Sequence, residues 1–500
     1  MSSEKNEKPT TPPTEAVFTV GELDRAEPEP RLAGTLKPRH LSMIALGGII
    51  GAGLLVASSN AIISAGPAVI ISYALAGIVI ILVMRMLGEM ASASPDTGSF
   101  STYATKFIGP WAGLSIGWLY WWFWVVVVGI EATAAAKIIT KYLPGLDQWI
   151  PALVITVLFL GLNLVSVKSF GEMEFWFAGI KIVAITLFIL FGIGLVTGII
   201  PSAHQGVDYG AQGGFMPNGI SGIFVALLPV IFSMFGAEVA TVAAGESEHP
   251  AHAVRKAVNS VIWRILLFYI GSITIIVLLL PHDQVVSGKS PFVSALEYVG
   301  IPGVDVVMDF VVLTALLSTL NASLYTASRM AYSLAGRGEA PRAFRKVNRH
   351  NTPYVAILAS AIVGLISVVL NYTVPDYVFA FLVNSTGATA IFVWLVIAVS
   401  QLRSRRMLAK QGVVPGKANG TIKMWGFPYI TWIVIVALVA LLAYMTFNKS
   451  LQTRIELYVS LVVAAVSVVA GLIVQRRQKR LGLLSDGSPA SAQSTDAESK

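Results

Sequence analysis

Three ionisable side chains lie in or beside apolar stretches of the sequence and are the first candidates for chemistry. Glu131 lies in WWFWVVVVGIEATAAAK, Lys181 lies in EFWFAGIKIVAITLF, and Glu238 follows the apolar run that ends in FSMFGA. A charge at the centre of a bilayer costs about 3 kcal/mol, and such residues commonly bind a charged substrate or carry protons. The alternative for each is a buried ion pair or a side chain that reaches the headgroups. For Asp309, in VVMDFVVLT, we expect the interfacial role.

A cluster of glycines interrupts the first long apolar stretch, which reads LSMIALGGIIGAGLLVASSNAII over residues 41–63. Gly47, Gly48, Gly51 and Gly53 weaken a helix that must satisfy its own hydrogen bonds in lipid. Transporters commonly break a helix at mid-membrane, where freed N–H and C=O groups bind the charged ends of a substrate. The alternative is close packing of helices through small residues. Taken alone, this stretch leaves both interpretations open.

A second interrupted stretch favours the broken-helix interpretation. Residues 220–250, ISGIFVALLPVIFSMFGAEVATVAAGESEHP, carry Pro229 and Gly236 within an apolar run. If the chain contains two inverted repeats of five spans each, the first and sixth spans are counterparts, and broken helices pair in this way. No sequence repeat is visible between the two halves. The repeat is therefore an inference from position and composition.

The composition decides which solvent surrounds these residues. Of 500 residues, 55% are hydrophobic and 12% are charged, and the mean hydropathy of +0.72 is far above that of a soluble domain. A helical span needs about 20 mostly apolar residues, and about twelve such runs can be placed without the alternation typical of membrane β-strands. The sequence therefore predicts an all-α membrane protein. The predicted spans start near Leu41, Gly66, Trp111, Pro151, Phe175, Ile220, Val258, Val304, Pro353, Val378, Trp425 and Tyr458.

Two polar tails flank the predicted transmembrane domain, residues 39–475. Residues 1–38 are rich in Pro, Glu, Lys and Thr, and residues 476–500 are rich in Ser, Ala and Asp, so both tails are expected to be disordered. The net charge of +8 comes from loops such as VRKAVNSVIWR, RGEAPRAFRKVNRH and QLRSRRMLAK, on one side of the predicted topology. This distribution predicts cytoplasmic loops and cytoplasmic termini rather than nucleic-acid binding.

The motifs of competing function classes are missing from the sequence. It contains no cysteine, Walker glycine loop, HExxH motif or nucleophile elbow, so we expect neither ATP-driven transport nor an enzyme. The histidines fall in predicted loops or interfacial segments, so no metal or other cofactor is expected. A channel would need a continuous polar lining, which isolated acids do not supply. A sensor with the same fold stays open, since the tails could carry regulatory sites.

Eight sequence blocks, spread over nearly all of residues 39–475, carry a family resemblance. They are RHLSMIALGGIIGAGLL, AGPAVIISY, MRMLGEMASASPDTGSFSTYA, GWLYWWFW, GGFMPNG, FSMFGAEVATVAAGESEHP, LNASLYTASRMAYSLAGRGEAP and TPYVAILAS. Together they resemble the bacterial amino acid permeases of the amino acid/polyamine/organocation superfamily. The resemblance is strongest to the γ-aminobutyrate (GABA) permeases, notably over VNSVIWRILLFYIGS. Permeases for proline, lysine or aromatic amino acids share most of these blocks and stay open as alternatives.

The resemblance implies a fold and an activity. The implied fold has five plus five helices in inverted repeats, followed by two C-terminal helices. The implied activity is uptake of GABA or a related ω-amino acid across the bacterial cytoplasmic (inner) membrane by alternating access, with the proton as coupling ion. By similarity, the amides of Gly51, Ala52 and Gly53 in the first broken helix bind the substrate carboxylate.

The amine end of such a substrate needs hydrogen-bond acceptors of its own. Carbonyls released at Ser233, Met234 and Phe235 are suitable acceptors for an ammonium group. Because an ω-amino acid holds its amine farther from its carboxylate, Glu131 is either a second acceptor for the amine or a proton carrier, and both roles stay open. Phe232 and Phe235 would close over the ligand or give cation–π contacts, with aromatic core packing as the alternative.

Lys181 matches the fifth-helix lysine of proton-coupled relatives. The resemblance implies that its ammonium lies where sodium-driven relatives hold a sodium ion, near Ser318 and Asn321. Burial disfavours the charged form of a lysine, so the side chain can lose and regain its proton during alternating access. Glu238 is implied as a gate or proton acceptor on the cytoplasmic side.

Overall fold

The computed structural model describes Met43 and most of residues 50–480. The undescribed residues within that range are 95–98, 166, 202–206, 208–209, 211–212, 240, 242–249, 374, 411–421 and 449–450. The predicted N-terminal tail, residues 1–38, lies outside the described residues, as do residues 481–500. Gly47 and Gly48 also lie outside them. The first glycine cluster is therefore described from Gly51 onward.

The described residues are mostly helical, and no β-strand occurs among them, in agreement with the all-α prediction. A π-helical stretch and a short 3-10 turn connect some of the helices without a loop, at Ile265–Gly271 and Gly66–Ala68. We number the α-helices in chain order as α1 Ala52–Leu55, α2 Ser58–Ala65, α3 Val69–Ala93, α4 Ser99–Phe107, α5 Pro110–Tyr142, α6 Trp149–Val165, α7 Val167–Val196, α8 Gly219–Met234, α9 Pro250–Arg264, α10 Ser272–Leu279, α11 Pro291–Val299, α12 Val304–Gly336, α13 Tyr354–Thr373, α14 Pro375–Lys410, α15 Tyr429–Thr446 and α16 Leu451–Arg480.

Eight helical segments of the described chain are long and apolar enough to cross a membrane. They are Ala52–Ala93, Pro110–Tyr142, Gly171–Val196, His252–Leu279, Val304–Gly336, Phe381–Ala409, Tyr429–Thr446 and Thr453–Arg477. Three shorter apolar helices are Trp149–Val165, Gly219–Met234 and Tyr354–Leu370. The total of about twelve spans stays a prediction. At the C-terminal end α16 continues to Arg480, so residues 476–480 are helical, contrary to their assignment to a disordered tail.

Helices α5 and α12 form the centre of the bundle. They pack against each other, and between them they also contact α6, α7, α11, α13, α14 and α16. The WWFWVVVV run of α5 is apolar on all sides, as expected of a helix surrounded by protein. Pro110 begins α5 at a position where the missing N–H has no cost, because first-turn amides lack an intrahelical partner. This packing brings Glu131 of α5 and residues 318–321 of α12 to the middle of the molecule.

Apolar side chains also cover the outside of the bundle. On α7, Val183, Leu187 and Leu190 are each more than half exposed and, at spacings of four and three residues, lie on one helix face. Similar exposed apolar residues occur on α13, α15 and α16. An apolar outer surface of this extent would be an aggregation liability in water, whereas lipid solvates it. The surface therefore fits a protein surrounded by a bilayer.

Glu89 of α3 joins three parts of the bundle through its buried carboxylate. Arg405 of α14 donates to it from Nε at 2.7 Å and from Nη2 at 2.5 Å. Gln401 Nε2 donates at 2.8 Å, and the amide of Met424, in the segment before α15, donates at 2.7 Å. These charge-assisted hydrogen bonds satisfy both carboxylate oxygens. The cluster therefore fixes the start of α15 to α3 and α14.

Replacing Glu89 with glutamine is expected to destabilise the folded protein. The Arg405 side chain is only 12% exposed and would keep its charge without a carboxylate beside it. Removing one partner of a buried ion pair costs about 3–5 kcal/mol. The measurement is the apparent Tm in detergent, compared with an Arg406→Gln control at an exposed position of the same helix. An apparent Tm equal to that of the wild type would contradict this account of the cluster.

Candidate functional site

The first predicted span is interrupted at Gly51, where the glycine cluster predicts a break. Ile50 and Gly51 are not helical, and the helix that follows covers Ala52–Leu55 before a turn at residues 56–57. A Cβ atom placed on Gly51 would lie 2.5 Å from Oε1 of Glu131. The Thr319 side chain of α12 lies at least as close, so glycine allows polar side chains from both helices to reach the backbone at this position.

Gly53 brings the two broken segments together. A Cβ atom on Gly53 would lie 2.6 Å from the Cα atom of Ser233, which belongs to α8. The contact is therefore between backbone and backbone rather than between flexible side chains. It joins the first span, just after its break, to the last turn of α8 in the sixth span.

The sixth predicted span breaks where α8 ends at Met234. Phe235 has an extended backbone, with φ −67° and ψ 146°, and Gly236 has a φ of +108°, a conformation that favours glycine. Glu238 stabilises this turn, because its Oε2 accepts the amide of Gly236 at 2.8 Å. Its Oε1 accepts Nε1–H of Trp394, on α14, at 2.6 Å. The Glu238 carboxylate is therefore fixed between the break and α14.

Glu131 points from α5 at the break in the first span. The amide of Ala52 donates to both of its carboxylate oxygens, at 3.0 and 3.1 Å, and Glu131 is only 1% exposed. The resemblance assigns this same amide to the carboxylate of the substrate. In the structure a carboxylate of the protein itself occupies it.

Lys181 of α7 is linked to the break in the first span by Thr319 of α12. Its Nζ donates to Oγ1 of Thr319 at 3.3 Å, and the Thr319 hydroxyl donates to the carbonyl of Ile50 at 3.2 Å. The threonine hydroxyl serves as acceptor and donor at once. The family resemblance implies Ser318 and Asn321 near Lys181, and the structure gives a hydrogen bond to Thr319, which lies between them in sequence.

A buried acid that sequence reasoning misses, Glu174, lies on the same helix as Lys181. Like Glu131, it lies close enough to Lys181 to interact with its charge. Its Oε1 accepts a hydrogen bond from Oγ of Ser318 at 2.8 Å, and Glu174 is fully buried. The predicted fifth span starts just after it, at Phe175, so Glu174 falls outside the predicted intramembrane residues. The signal that would have found it is its spacing of two helical turns from Lys181.

Phe232 and Phe235 belong to a buried aromatic cluster between α5, α8 and α14. The ring of Phe123 lies 4.3 Å from that of Phe235 and 6.1 Å from that of Phe232, between centroids. Tyr120 and Trp394 also approach Phe235, at 5.9 and 6.1 Å. Core packing accounts for both phenylalanines in this structure. Their role as gates over a ligand stays a prediction.

Asp309 takes no part in this site. Its Oδ2 lies 2.6 Å from Nζ of Lys141 and accepts the hydroxyl of Tyr142 at 2.7 Å. It precedes Thr319 by ten residues of α12, or about 15 Å along the helix axis. Asp309 thus forms an ion pair near the end of α5, in line with the interfacial role expected for it.

A bundle of apolar helices that encloses two interrupted helices and buried charges has the architecture of a membrane transporter. The comparison with protein families agrees with this class. The model of the family described as amino acid permease matches residues 40–483. The chain therefore belongs to the amino acid permease family and is a multi-pass membrane protein.

Similar sequences carry amino acid transporter names. A gamma-aminobutyric acid permease of Bacillus subtilis (strain 168) is 47% identical over 89% of this chain and 94% of the relative. A gamma-aminobutyric acid permease of Escherichia coli (strain K12) is 46% identical over 90% of this chain and 96% of the relative. The aromatic amino acid transport protein AroP of Corynebacterium glutamicum is 41% identical over 88% of this chain and 93% of the relative. The similarity thus extends over nearly the whole transmembrane domain.

Solved structures of a manganese transporter from Eremococcus coleocola share the fold. One of them, a crystal structure of a mutant, superposes with a TM-score of 0.58 over 88% of this chain and 94% of that chain. The sequences are 14% identical. At this identity the similarity shows a common fold alone.

Replacing Gly53 with alanine is expected to lower the initial rate of amino acid uptake at least about tenfold, equivalent to 1.4 kcal/mol. The added methyl group meets the backbone of Ser233, which cannot rotate away as a side chain would, and overpacking of this kind costs about 1–3 kcal/mol. The rate is measured per amount of protein in the membrane. Gly179→Ala on α7 is the control, because no atom lies within 4 Å of its new methyl group. Wild-type uptake by Gly53→Ala would refute the close contact.

Proposed function

We propose that the chain is a proton-coupled symporter that imports GABA or a related ω-amino acid across the bacterial cytoplasmic membrane by alternating access. The observation that carries the substrate class is the identity of 46–47% to relatives named as gamma-aminobutyric acid permeases. Relatives with other names are somewhat less similar, at 41% for an aromatic amino acid transport protein and 39% for a probable threonine/serine transporter. Uptake of an α-amino acid is therefore the alternative.

The contact between Glu131 and Ala52 supports a specific way of binding an ω-amino acid. The substrate carboxylate replaces the Glu131 carboxylate at the amide of Ala52, and the amides of Gly51 and Gly53 lie beside it. Glu131 is then released to accept the ammonium group at the far end of the substrate. A protein carboxylate already resting on this amide supports the assignment, because the site accommodates that charge and geometry.

The position of Lys181 supports coupling to protons. Its hydrogen bond to Thr319, and through it to the carbonyl of Ile50, links its protonation state to the broken segment of the first span. Loss of the proton weakens this link, so the substrate site and the proton site respond to each other. A bound substrate then shifts the population of transporter conformations by as much as its affinity for them differs.

The topology that we propose has twelve spans, with both termini in the cytoplasm. Two facts support an inverted repeat of five plus five spans: the breaks fall in the first and sixth predicted spans, and their backbones meet at Gly53 and Ser233. The basic loops support the orientation. Glu238, held by Gly236 and Trp394, acts as a gate on the cytoplasmic side in this scheme.

The test is uptake of radiolabelled GABA into proteoliposomes with an imposed inward proton gradient. Unlabelled β-alanine, proline, lysine and phenylalanine serve as competitors. We expect GABA to accumulate, β-alanine to compete best, and an uncoupler to abolish accumulation. Stronger competition by an α-amino acid would replace the proposed substrate with the alternative, and accumulation that resists the uncoupler would refute proton coupling.

A further inference from the structure

Glu174 lies between Lys181 and one end of the transmembrane bundle. The two residues are seven positions apart on α7, which is two turns, or about 10 Å along the axis. Helical side chains lean toward the N-terminus of their helix, so Lys181 leans toward Glu174. α12 presents adjacent hydroxyls to both, with Thr319 bonded to Lys181 and Ser318 bonded to Glu174. Neighbouring residues of α12 thus hold Glu174 and Lys181.

The polar contacts extend from this point to a basic loop. Three residues beyond Ser318 on α12, the Oδ1 of Asn321 accepts Nδ2–H of Asn163 at 2.8 Å. The next residue on α6, Leu164, offers its carbonyl to Asn348 Nδ2 at 2.7 Å and to Thr352 Oγ1 at 3.2 Å. Both donors belong to the loop RGEAPRAFRKVNRHNT, whose charge predicts the cytoplasmic side.

Two buried polar atoms in this region have no hydrogen-bond partner among the described residues. They are Oε2 of Glu174 and Nδ2 of Asn321. Buried polar atoms are satisfied in most native structures, so such exceptions call for a ligand, a proton or a water molecule. A carboxylate with one free oxygen, next to a lysine and buried among neutral side chains, is suited to accept a proton.

We propose that Glu174 is the proton acceptor through which Lys181 releases its coupling proton toward the cytoplasmic side. This inference rests on the proposed proton-coupled transport and adds the exit route of the proton. Lys181 is faced by Glu131 from α5 and by Glu174 from its own helix. On α12, Thr319 bonded to Lys181 and Ser318 bonded to Glu174 are uncharged, as are Asn163 and Asn321, which bond to each other.

The transfer conserves charge and protons. An N–H bond of the Lys181 ammonium breaks, and the electron pair stays on nitrogen as the amine. The proton passes through a bridging water molecule and forms an O–H bond with Oε2 of Glu174, so a lysine ammonium and a separate carboxylate become a neutral amine and a neutral acid. Glu174 then loses the proton to water near the Asn163–Asn321 pair and returns to a carboxylate. The Lys181 amine is reprotonated from the substrate side in the next cycle.

The alternative role for Glu174 is a structural partner of Lys181 that serves folding alone. The two roles differ in which transport mode they affect. Exchange of labelled for unlabelled GABA needs the substrate site and the conformational change, whereas accumulation against a gradient also needs release of the proton. The experiment therefore compares wild type, Glu174→Gln and Glu174→Asp in right-side-out membrane vesicles, in both modes and over a range of internal pH.

Under the proposal, E174Q keeps at least half of the wild-type exchange rate but loses gradient-driven accumulation, at least about tenfold, and E174D restores accumulation. Wild-type accumulation falls as the internal pH is lowered, and exchange by E174Q does not respond to internal pH. Glu172→Gln, two residues earlier on α7, is the matched control and accumulates GABA as wild type does. Full accumulation by E174Q overturns the inference. Equal loss of exchange and accumulation in E174Q and E174D also overturns it and assigns a structural role.

A second variant and the wild-type measurement separate the role of Glu174 from folding defects and from the proposed function. If E174Q does not fold, Ser318→Ala replaces it, because this change removes the hydrogen bond to Glu174 and leaves the carboxylate in place. The proposal then predicts an altered dependence of accumulation on internal pH, and an unaltered dependence counts against it. The wild-type arm tests the proposed function separately. If wild type exchanges GABA but never accumulates it under a proton gradient, proton coupling fails whatever Glu174 does.

Discussion

Lys181→Met is expected to abolish accumulation of substrate driven by a proton gradient, by at least about tenfold, while exchange of labelled for unlabelled substrate persists. Methionine keeps much of the apolar volume of the lysine chain but cannot carry a proton. The hydrogen bond from Lys181 to Thr319 is lost, so the broken segment at Ile50 no longer responds to protonation. The measurement compares accumulation and exchange in proteoliposomes that contain equal amounts of protein.

A second substitution separates charge from proton exchange. Lys181→Arg keeps the positive charge but cannot lose its proton at any physiological pH. We expect it to lose accumulation as well, because coupling requires release of the proton and not the charge alone. Ile180→Met is the matched control, since Ile180 precedes Lys181 on α7 and is 40% exposed toward the lipid side. Gradient-driven accumulation by either Lys181 variant would refute the coupling role.

Glu131→Gln is expected to lower GABA uptake at least about a hundredfold, which corresponds to roughly 2.7 kcal/mol. The carboxylate is buried, and both of its oxygens accept a hydrogen bond from the Ala52 amide. Glutamine replaces one oxygen with an NH₂ group, which cannot accept a hydrogen bond from this amide. The variant also removes a carboxyl group that lies close enough to Lys181 to interact with its charge. Uptake per amount of folded protein is the measurement, with retained monodispersity in detergent as the check on folding.

Binding measurements on the same variant distinguish the two roles held open for Glu131. If Glu131 accepts the ammonium of the substrate, the Kd for GABA rises by at least about tenfold, since a charge-assisted hydrogen bond is lost. If Glu131 is a proton carrier, the Kd stays near the wild-type value and only gradient-driven uptake is lost. Thr140→Val, at the exposed end of α5, is the control variant. Wild-type uptake by Glu131→Gln would exclude both roles.

The sequence predicts the fold well because its signals are local. Apolar runs long enough to cross a bilayer predict helices, and the structure contains helices there. Gly51 and Gly236 predict interruptions, and both lie at breaks, because a chain without Cβ atoms is the weakest point of a helix. The end of the last helix is less well predicted. Four of the residues 476–480 are basic, and the sequence predicts this segment as part of a disordered tail. Basic residues at a helix C-terminus are favourable, however, and α16 includes the segment.

The candidate site is predicted only in part. The three ionisable residues in apolar surroundings, Glu131, Lys181 and Glu238, are all buried. Glu174 is missed because it lies at the predicted boundary of a span, where burial depends on the neighbouring helices rather than on local sequence. Thr319 is missed because a threonine in a helix carries no signal of its own.

The sequence by itself determined the solvent of this protein, the class of its helices and the residue types available for chemistry. Each of these follows from composition and from short-range spacing along one chain. Only the tertiary structure decided which groups meet: the partner of the Glu131 carboxylate is an amide 79 residues away, and that of Lys181 is a hydroxyl 138 residues away. The packing of α5, α7 and α12 around the break fixes these contacts, because a buried charge must find a partner and helix packing determines which partners are within reach.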